Sequence, residues 1–287
     1  MQLKDYVNRI QQVYPDLTIN KAELNTIGQN NDVLIVNREL VFKFPKYQAG
    51  IIDLQKESQL LNQIKGYVSL AVPSPEYESY EVLKPGHVFN GYSLIQGTPL
   101  WSKELNKADS QSQKMISDQL IQFLIDLHSI PTGELHLGTQ DPYTDMLNLY
   151  RKIKEKLYPF MRTEAQSETS RMFDKFLSGG KLSNIKLALI HGDFGSSNIL
   201  WNSEPKRVTG IIDFGGSGIG DLAYDLAGLL SSFGERFFNQ CMSQYPDGEK
   251  IVERINFYRG TFALQEALHG LENNDPQAFD NGISRYR

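Results

Sequence analysis

Two short segments, IHGDFGSSNIL at residues 190–200 and GIIDFG at residues 210–215, carry most of the information in this chain. They supply Asp193, Asn198 and Asp213. Phosphoryl transfer from a magnesium nucleotide needs such a set. One carboxylate orients or deprotonates the acceptor hydroxyl, while an amide oxygen and a second carboxylate hold Mg²⁺ on the phosphates. The apolar runs at 187–190 and 208–212 predict short strands that anchor both loops.

The motif His-Gly-Asp-x₄-Asn, with the Asp-Phe-Gly aspartate fifteen residues beyond Asn198, resembles the signature of the aminoglycoside phosphotransferase family. These are small-molecule kinases with a protein-kinase-like fold, and residues 220–227 are similar to the family's next helix. The likeness is closest to the 2″-phosphotransferase type. It implies that Asp193 is the catalytic base and that Asn198 and Asp213 bind Mg²⁺. We expect structural roles for His191 and Asp225, which would hold the loop in place.

The N-terminal part of the chain predicts a small sheet that carries one helix. Two β-prone runs, at 33–36 and 40–44, flank a short polar segment that suits a tight antiparallel turn. Apolar residues at helical spacing from 51 to 64 then predict a helix that ends before Gly66. The resemblance implies that Lys43 on the strand grips the nucleotide phosphates and that Glu57 on the helix holds Lys43.

The resemblance also implies where the nucleotide lies. A phosphate-covering loop is expected around Gly28, although it has one glycine rather than three. Backbone groups of Ser93, Leu94 and Ile95 are expected to face the purine, and Tyr92 to limit the depth of the base pocket. In relatives of the 2″-phosphotransferase type a bulky residue at this position is associated with the use of GTP. Both ATP and GTP are therefore open as the phosphate donor.

The predicted fold class is α+β, a two-lobe protein-kinase-like fold. Residues 1–95 form a small β-rich nucleotide-binding lobe, and residues 96–287 form a larger, mainly helical lobe with the catalytic and acceptor sites. The boundary rests on the punctuating segment at 96–99. In the second lobe the apolar spacing predicts helices, at 116–127, 145–160, 165–178, 221–232 and 249–271.

The acceptor is expected to be a hydroxyl of an aminoglycoside antibiotic, which makes this a resistance-type kinase. Aminoglycosides are polycations, so acidic residues of the second lobe are the candidate ligands: Asp221, Glu235 and Glu266, and as further candidates Glu272 and Asp275.

The segments 215–220 and 229–235 are poor in acidic residues, however, which leaves two alternatives open: a macrolide phosphotransferase or another small-alcohol kinase. A macrolide would need an apolar cleft, for which the candidates are Phe233, Phe237, Phe238, Phe257, Tyr258 and Phe262, although core packing is the preferred interpretation. A nucleotide-binding pseudokinase scaffold is disfavoured because the motif residues are intact.

The composition of the chain limits the classes of partner that it can bind. The chain has 287 residues and a net charge of −5, with a pI near 5.6, which argues against a nucleic-acid surface. Cys241 is the single cysteine, so an internal disulfide is excluded. No apolar run is long enough to cross a bilayer, and the N-terminus lacks a secretory core. We expect a cytoplasmic monomer whose partners are a nucleotide and a small hydroxyl acceptor.

Overall fold

The computed structural model describes residues 1–26, 30–135, 137, 141–178 and 185–287. The predicted phosphate-loop residue Gly28 lies outside these ranges. Contacts between Cα atoms divide the chain into two compact units: Met1–Leu135 with Ser196–Ser217, and His136–Gly195 with Gly218–Arg287. This grouping does not follow the predicted lobe boundary after residue 95, which stays a prediction.

The described residues form short strands and longer helices in a mixed order. The strands are β1 Ala22–Asn25, β2 Asn31–Val36, β3 Leu40–Pro45, β4 Tyr77–Ser79, β5 Phe89–Ser93, β6 Thr98–Pro99, β7 Ala188–Ile190, β8 Ile199–Ser203, β9 Lys206–Ile211 and β10 Gly218–Gly220. The helices are α1 Leu3–Val13, α2 Gln48–Ile64, α3 Ser102–Lys107, α4 Ser110–Ser129, α5 Pro142–Lys152, α6 Thr163–Ser178, α7 Ala223–Met242, α8 Val252–Glu272 and α9 Pro276–Ile283. The predicted α+β class is confirmed.

The first unit contains an antiparallel sheet in the strand order β1-β2-β3-β5-β4. The predicted tight turn between β2 and β3 is confirmed, and Asn37 and Arg38 take left-handed φ values of 54° and 60° in it. Those values match the twist of a two-residue hairpin. On one face of the sheet Phe42, Phe44 and Phe89 pack with α1 in an aromatic core.

Helix α2 packs its apolar side inward, as its spacing predicts. Ile51, Leu54, Leu61 and Ile64 are all buried, and Glu57 is buried with them. A buried carboxylate needs a partner, because desolvating an unpaired charge costs several kcal/mol. The fold therefore places Glu57 where it must meet a cation.

The first unit also holds α3, α4 and a small sheet in the order β6-β8-β9. The predicted stripe at 116–127 is confirmed as the buried face of α4. The side chain of Gln119 on this helix joins to both backbone groups of Val208 on β9, which fixes the helix against the hairpin.

In the second unit β7 pairs antiparallel with β10, and the other elements of its described residues are helical. Helix α7 is longer than the predicted 221–232, because the helical path resumes after a kink at Gly234, where φ is 76°. The predicted helix at 145–160 is divided: α5 ends at Lys152 and a π-helical stretch, Ile153–Leu157, follows. Helix α9 was not predicted.

None of the helices in the described ranges combines the length and the apolar character that a membrane span requires.

Candidate active site

Lys43, Glu57 and Asp213 meet in the first unit. The Lys43 Nζ lies 2.8 Å from Glu57 Oε1 and 3.0 Å from Asp213 Oδ1. Lys43 and Glu57 are both buried, whereas about half of the Asp213 side chain is exposed. The sequence places these residues up to 170 positions apart, so the fold alone brings them together.

The turn that carries Asp213 is fixed by the same glutamate. The Phe214 N–H donates to Glu57 Oε1 at 3.1 Å, and Asp213 takes the left-handed conformation, with φ 67° and ψ 70°. Aspartate tolerates this region better than most residues, and such a conformation persists only where the surroundings hold it. Glu57 therefore positions both the lysine and the Asp-Phe-Gly turn.

Lys43 keeps its charge in this setting. Burial alone would lower the pKa of Lys43, but the carboxylates of Glu57 and Asp213 outweigh burial and raise the pKa well above its usual value. A permanently charged ammonium in a site of low dielectric is suited to binding phosphate oxygens.

Asn198 and Asp213 flank the same end of the β8–β9 hairpin. Ile199 pairs with Ile211, and the Ile212 N–H donates to the Asn198 carbonyl at 2.9 Å. This pairing places one amide residue and one carboxylate residue at the same end of the hairpin, and amide and carboxylate oxygens are the hard ligands that Mg²⁺ prefers. Across the described residues, no group of three or more His, Cys, Asp or Glu side chains could hold a metal ion. A nucleotide-bound Mg²⁺ fits the smaller donor set, since it takes its remaining ligands from phosphate and water.

The predicted purine-binding segment lies at the end of β5. Tyr92 is opposite Val41 in the sheet, and burial raises its pKa to about 12, so its hydroxyl is neutral at ordinary pH. The Leu94 N–H donates to the Glu39 carbonyl at 2.6 Å, which removes it as a donor to a base. Purine binding by the backbone of Ser93 and Ile95 stays a prediction, and for Leu94 the prediction is limited to its carbonyl.

The first unit also contains a cavity of about 600 Å³, which is separate from the cluster of Lys43, Glu57 and Asp213. It is bounded by residues 93–96, 69–72 and 207–209, and neither Lys43, Asn198 nor Asp213 lines it. Although it is the larger of the two cavities described, its lining does not include the residues predicted to bind phosphate and Mg²⁺.

The loop that carries Asp193 is braced from α7 in the second unit. Asp225 is fully buried and accepts from the His191 N–H at 2.7 Å and from the Gly192 N–H at 2.9 Å. The Asp193 N–H donates to His191 Nδ1 at 3.2 Å, so that nitrogen is unprotonated. The predicted structural roles of His191 and Asp225 are confirmed, and the Asp193 side chain is left exposed.

A cavity of about 290 Å³ opens beside Asp193. Its lining is contributed by the Asp193 loop, by one face of α7 and by α8, namely Gly192, Asp193, Phe194, Gly195, Tyr224, Gly228, Ser231, Ser232, Phe262 and Gln265. Apart from Asp193 and Phe262, none of these was a site candidate from sequence. The sequence did contain an indication of this face, because Tyr224, Gly228 and Ser231 follow the spacing that aligns residues on one side of a helix.

Asp221 has a structural role, which corrects its assignment as an acceptor ligand. Its carboxylate is buried and pairs with Arg254, with Nε to Oδ2 at 2.8 Å, and it accepts from the Tyr258 hydroxyl and the Ala223 N–H. Burial, together with Asp221, raises the pKa of Tyr258 far above its usual range. Asp221 therefore fastens α8 to the start of α7.

The other acidic candidates lie outside the lining of the cavity. Glu235 and Glu266 are exposed. The Glu235 Oε1 lies 3.8 Å from the Arg259 Nη1. Glu272 pairs with Lys156, and Asp275 caps α9. Of the aromatic candidates, most are buried, as the core interpretation predicted: Phe233, Phe237, Phe238, Phe257 and Tyr258. Phe262 is half-buried and does line the cavity.

A sheet lysine that meets a helix glutamate and the aspartate of an Asp-Phe-Gly turn is the arrangement of protein-kinase-like phosphotransferases. The profile of the phosphotransferase enzyme family APH matches residues 21–259 of this chain. The chain belongs to this family, and the resemblance read from its motifs is confirmed.

Characterised relatives support the same placement. The chain is 32% identical to viomycin phosphotransferase of Streptomyces vinaceus over 138 residues, a match that spans 47% of each protein and so about half of that relative's length. The GDP and kanamycin complex of APH(2")-IIia superposes with a TM-score of 0.90 and 26% identity, covering 98% of this chain and 96% of that one. Macrolide 2'-phosphotransferase type I, at a TM-score of 0.73 and 16% identity over 100% and 98% of the two chains, shares the fold. The predicted two-lobe kinase-like class is confirmed.

Proposed function

We propose that this chain transfers the γ-phosphoryl group of a purine nucleoside triphosphate to a hydroxyl of an aminoglycoside-type acceptor. The observation that carries the proposal is the buried Lys43–Glu57 pair, joined both to Asp213 and to the backbone of the Asp-Phe-Gly turn. Such a pair keeps a charged lysine in place before any ligand binds, which is the preorganisation that phosphoryl transfer requires.

Each motif residue has a role in this proposal. Lys43, held by Glu57, binds the phosphates, and Asn198 with Asp213 would hold Mg²⁺, which offsets the negative charge of the phosphates when it is bound. Asp193 accepts the proton of the acceptor hydroxyl. Gly28 contributes to the phosphate-covering loop. Because the Asp193 loop is braced by a buried carboxylate, its side chain can be exposed and still be well oriented.

The donor is ATP or GTP. Tyr92 is buried and neutral near the end of β5, next to Ser93 in the chain. We expect its bulk to limit the space for a base. The relative described above was solved with GDP and kanamycin bound. Its use of a guanine nucleotide supports GTP as the donor here. The ratio of kcat/KM for the two nucleotides measures the preference.

The kanamycin bound to that relative supports an aminoglycoside acceptor, and the 32% identical viomycin phosphotransferase supports an antibiotic in the wider sense. A macrolide acceptor is less well supported, because the aromatic side chains that would line its cleft are mostly in the core. The cytoplasmic location and the monomeric state stay predictions from sequence.

The test is Asp193→Asn. We expect kcat with kanamycin to fall by about 100- to 10,000-fold, since a general base of this kind contributes that much. Nucleotide KM should change little, because the phosphate-binding groups are untouched. A coupled assay of nucleotide consumption, with and without acceptor, measures both, and near-normal turnover in the variant would contradict the role of Asp193.

A further inference from the structure

The cavity of about 600 Å³ in the first unit has no part in the proposed function. Its described lining comes from the loop that follows α2, from residues 93–96, from α4 and from the β8–β9 hairpin, all within that unit. A volume of this size falls in the range of small-molecule sites in proteins. The chemistry of its walls therefore decides which class of ligand it suits.

The β8–β9 hairpin contributes two polar side chains that have no partner. Asn202 and Arg207 are directly opposite each other in the hairpin, so their side chains leave the same face, and both line the cavity. Neither has a hydrogen-bond or ion-pair partner among the described residues. Lys206, by contrast, lies outside the lining and pairs with Asp109 Oδ2 at 3.0 Å. The hairpin thus offers a guanidinium fork and a carboxamide to a ligand.

A third polar residue of the hairpin, Thr209, lies at a bulge. The register shifts between Leu200 and Trp201, which leaves Thr209 without an opposite residue. Thr209 lines the cavity, and its hydroxyl oxygen is buried without a hydrogen-bond partner among the described residues. Buried hydroxyls are nearly always bonded, and bulges are common beside binding sites. The hairpin therefore holds three unpaired hydrogen-bonding groups at one cavity.

The facing wall of the cavity is apolar. Its side chains are half-buried and belong to Leu70, Val72, Leu94 and Ile95. Gln119 also lines the cavity, but its amide is joined to both backbone groups of Val208 and is committed there. A ligand with an apolar body and one polar head group matches the two walls.

The head group that fits is a single negative charge. Among the described lining residues, Arg207 alone has a charged side chain. Lys65, Asp126 and Glu76 contact lining residues from outside the cavity, so the charges around it are of both signs. A carboxylate carries one charge and matches the guanidinium fork, whereas a phosphate monoester carries close to two. One guanidinium with two neutral polar groups therefore favours a monocarboxylate.

We propose that this cavity is a regulatory site for a small organic monocarboxylate with an apolar ring body, and that its occupation raises the affinity for nucleotide. The carboxylate binds at Arg207 and Asn202, and the ring packs against the apolar wall. The site itself is independent of the proposed function. The effect on nucleotide affinity rests on that function, because it uses the groups proposed to bind nucleotide.

Two segments connect the cavity to those groups. Residues 93–95, whose backbone is proposed to face the purine, are part of its lining. Strand β9, which contributes residues 207–209, ends at Ile211, two positions before Asp213. The Ile211 N–H donates to the Ala71 carbonyl at 2.9 Å and ties this strand to the lining loop. A ligand that fixes these walls reduces the ordering that nucleotide binding requires, which makes the coupling positive.

The first measurement needs no nucleotide. NMR titrations compare 3-phenylpropanoate with 3-phenylpropanamide, which has nearly the same shape and no charge. We expect the carboxylate to bind with a Kd of about 1 mM, at least about tenfold more tightly than the amide, and to shift residues 93–96 and 207–209. Equal affinities, the absence of saturable shifts there, or shifts at Lys43 and Tyr92 in their place overturn the site.

Three variants test the head-group contact. Arg207→Gln, at an exposed side chain, should abolish the preference for the carboxylate. Asn202→Asp places a carboxylate opposite Arg207 and should weaken 3-phenylpropanoate binding by about tenfold. Lys206→Gln is the matched control, because it removes the same charge one position away from the lining and should keep the preference. An equal loss in Lys206→Gln would indicate a general attraction to positive charge and overturn the site.

The second measurement tests the coupling. Calorimetry gives the Kd of magnesium GDP and of magnesium ADP with and without saturating 3-phenylpropanoate. We expect the carboxylate to lower the nucleotide Kd by about fivefold in the wild-type protein and to have no effect in Arg207→Gln. An unchanged or raised nucleotide Kd overturns the regulatory effect. Failure of both nucleotides to bind would contradict the proposed function and the regulatory effect together, whereas the titrations without nucleotide still decide the site.

Discussion

At the scale of single residues, Glu57 is shared by two donors that belong to different parts of the chain. Its Oε1 accepts from Lys43 Nζ and from the Phe214 N–H, at 2.8 and 3.1 Å. The lysine needs the negative charge, because both side chains are buried. The backbone N–H needs only a lone pair, so the two demands can be separated by substitution.

Glu57→Gln makes that separation. The amide oxygen can still accept from Phe214, but it cannot neutralise Lys43, whose pKa then falls as burial prevails. We expect kcat to fall by about 100-fold, the usual loss when a preorganised charge is disturbed, while the fold is retained. Kinetics and a thermal melt measure the two effects, and Asp53→Asn, an exposed carboxylate-to-amide change on the same helix, is the matched control. A kcat within twofold of the wild-type value would contradict the role.

The meeting of Lys43, Glu57 and Asp213 was predictable from sequence, whereas the structural role of Asp221 was not, and the reason is physical. Lys43, Asp193, Asn198 and Asp213 sit in short motifs whose order and spacing reflect the chemistry. The contribution of Asp221 depends on Arg254, 33 residues away, and its burial against that partner cannot be read from local pattern. An acidic residue near a site motif is therefore a weak indication of a ligand until its partners are known.

At the scale of elements, α7 packs against the Asp193 loop at a glycine. A Cβ added to Gly228 would lie 2.5 Å from the Phe194 carbonyl oxygen, closer than any real contact of that kind, so the side-chain hydrogen is what permits the approach. The same helix supplies Asp225 and Ser231, and its distance from the loop sets the width of the cavity.

Gly228→Ala should therefore reduce stability by about 1–3 kcal/mol, because the carbonyl or the helix must move to relieve the clash. Gly66→Ala is the matched control, since nothing lies within 4 Å of its Cβ, and it should be neutral or slightly stabilising. Urea unfolding of both variants, with wild type, gives the free energies of unfolding. Equal values for the two variants would show that the close approach at Gly228 is relieved without cost.

Elements with a local cause were predictable, and elements with a tertiary cause were not. The β2–β3 hairpin follows from two apolar runs and a polar turn, and α4 follows from its stripe. The predicted helix ended at 232, two residues before the kink at Gly234, but the helix continues to Met242, with Phe237 and Phe238 buried in the core. Glycine marks the irregularity, and core contacts decide whether a helix stops there.

At the scale of the whole molecule, the groups proposed to bind nucleotide and those proposed to activate the acceptor belong to different units. Lys43, Glu57, Asn198 and Asp213 lie in the first unit, and Asp193 lies in the second. Binding of nucleotide should therefore be separable from the transfer reaction by substitution. Thermal stability reports nucleotide binding without the transfer reaction. A ligand that binds only the folded state raises the stability of that state by RT ln(1 + [L]/Kd).

We expect magnesium nucleotide at a large excess over Kd to stabilise the wild-type protein by about 2–4 kcal/mol, and so to raise Tm by several degrees. Asp193→Asn should keep this shift, since the phosphate-binding groups remain. Lys43→Met should lose most of it, because this variant lacks the buried ammonium that is proposed to bind the phosphates. The Tm of the unliganded variant is the baseline for that comparison. Melts with ATP and with GTP rank the two donors independently of any acceptor. A shift that vanishes in Asp193→Asn but persists in Lys43→Met would reverse the assignment of the two residues.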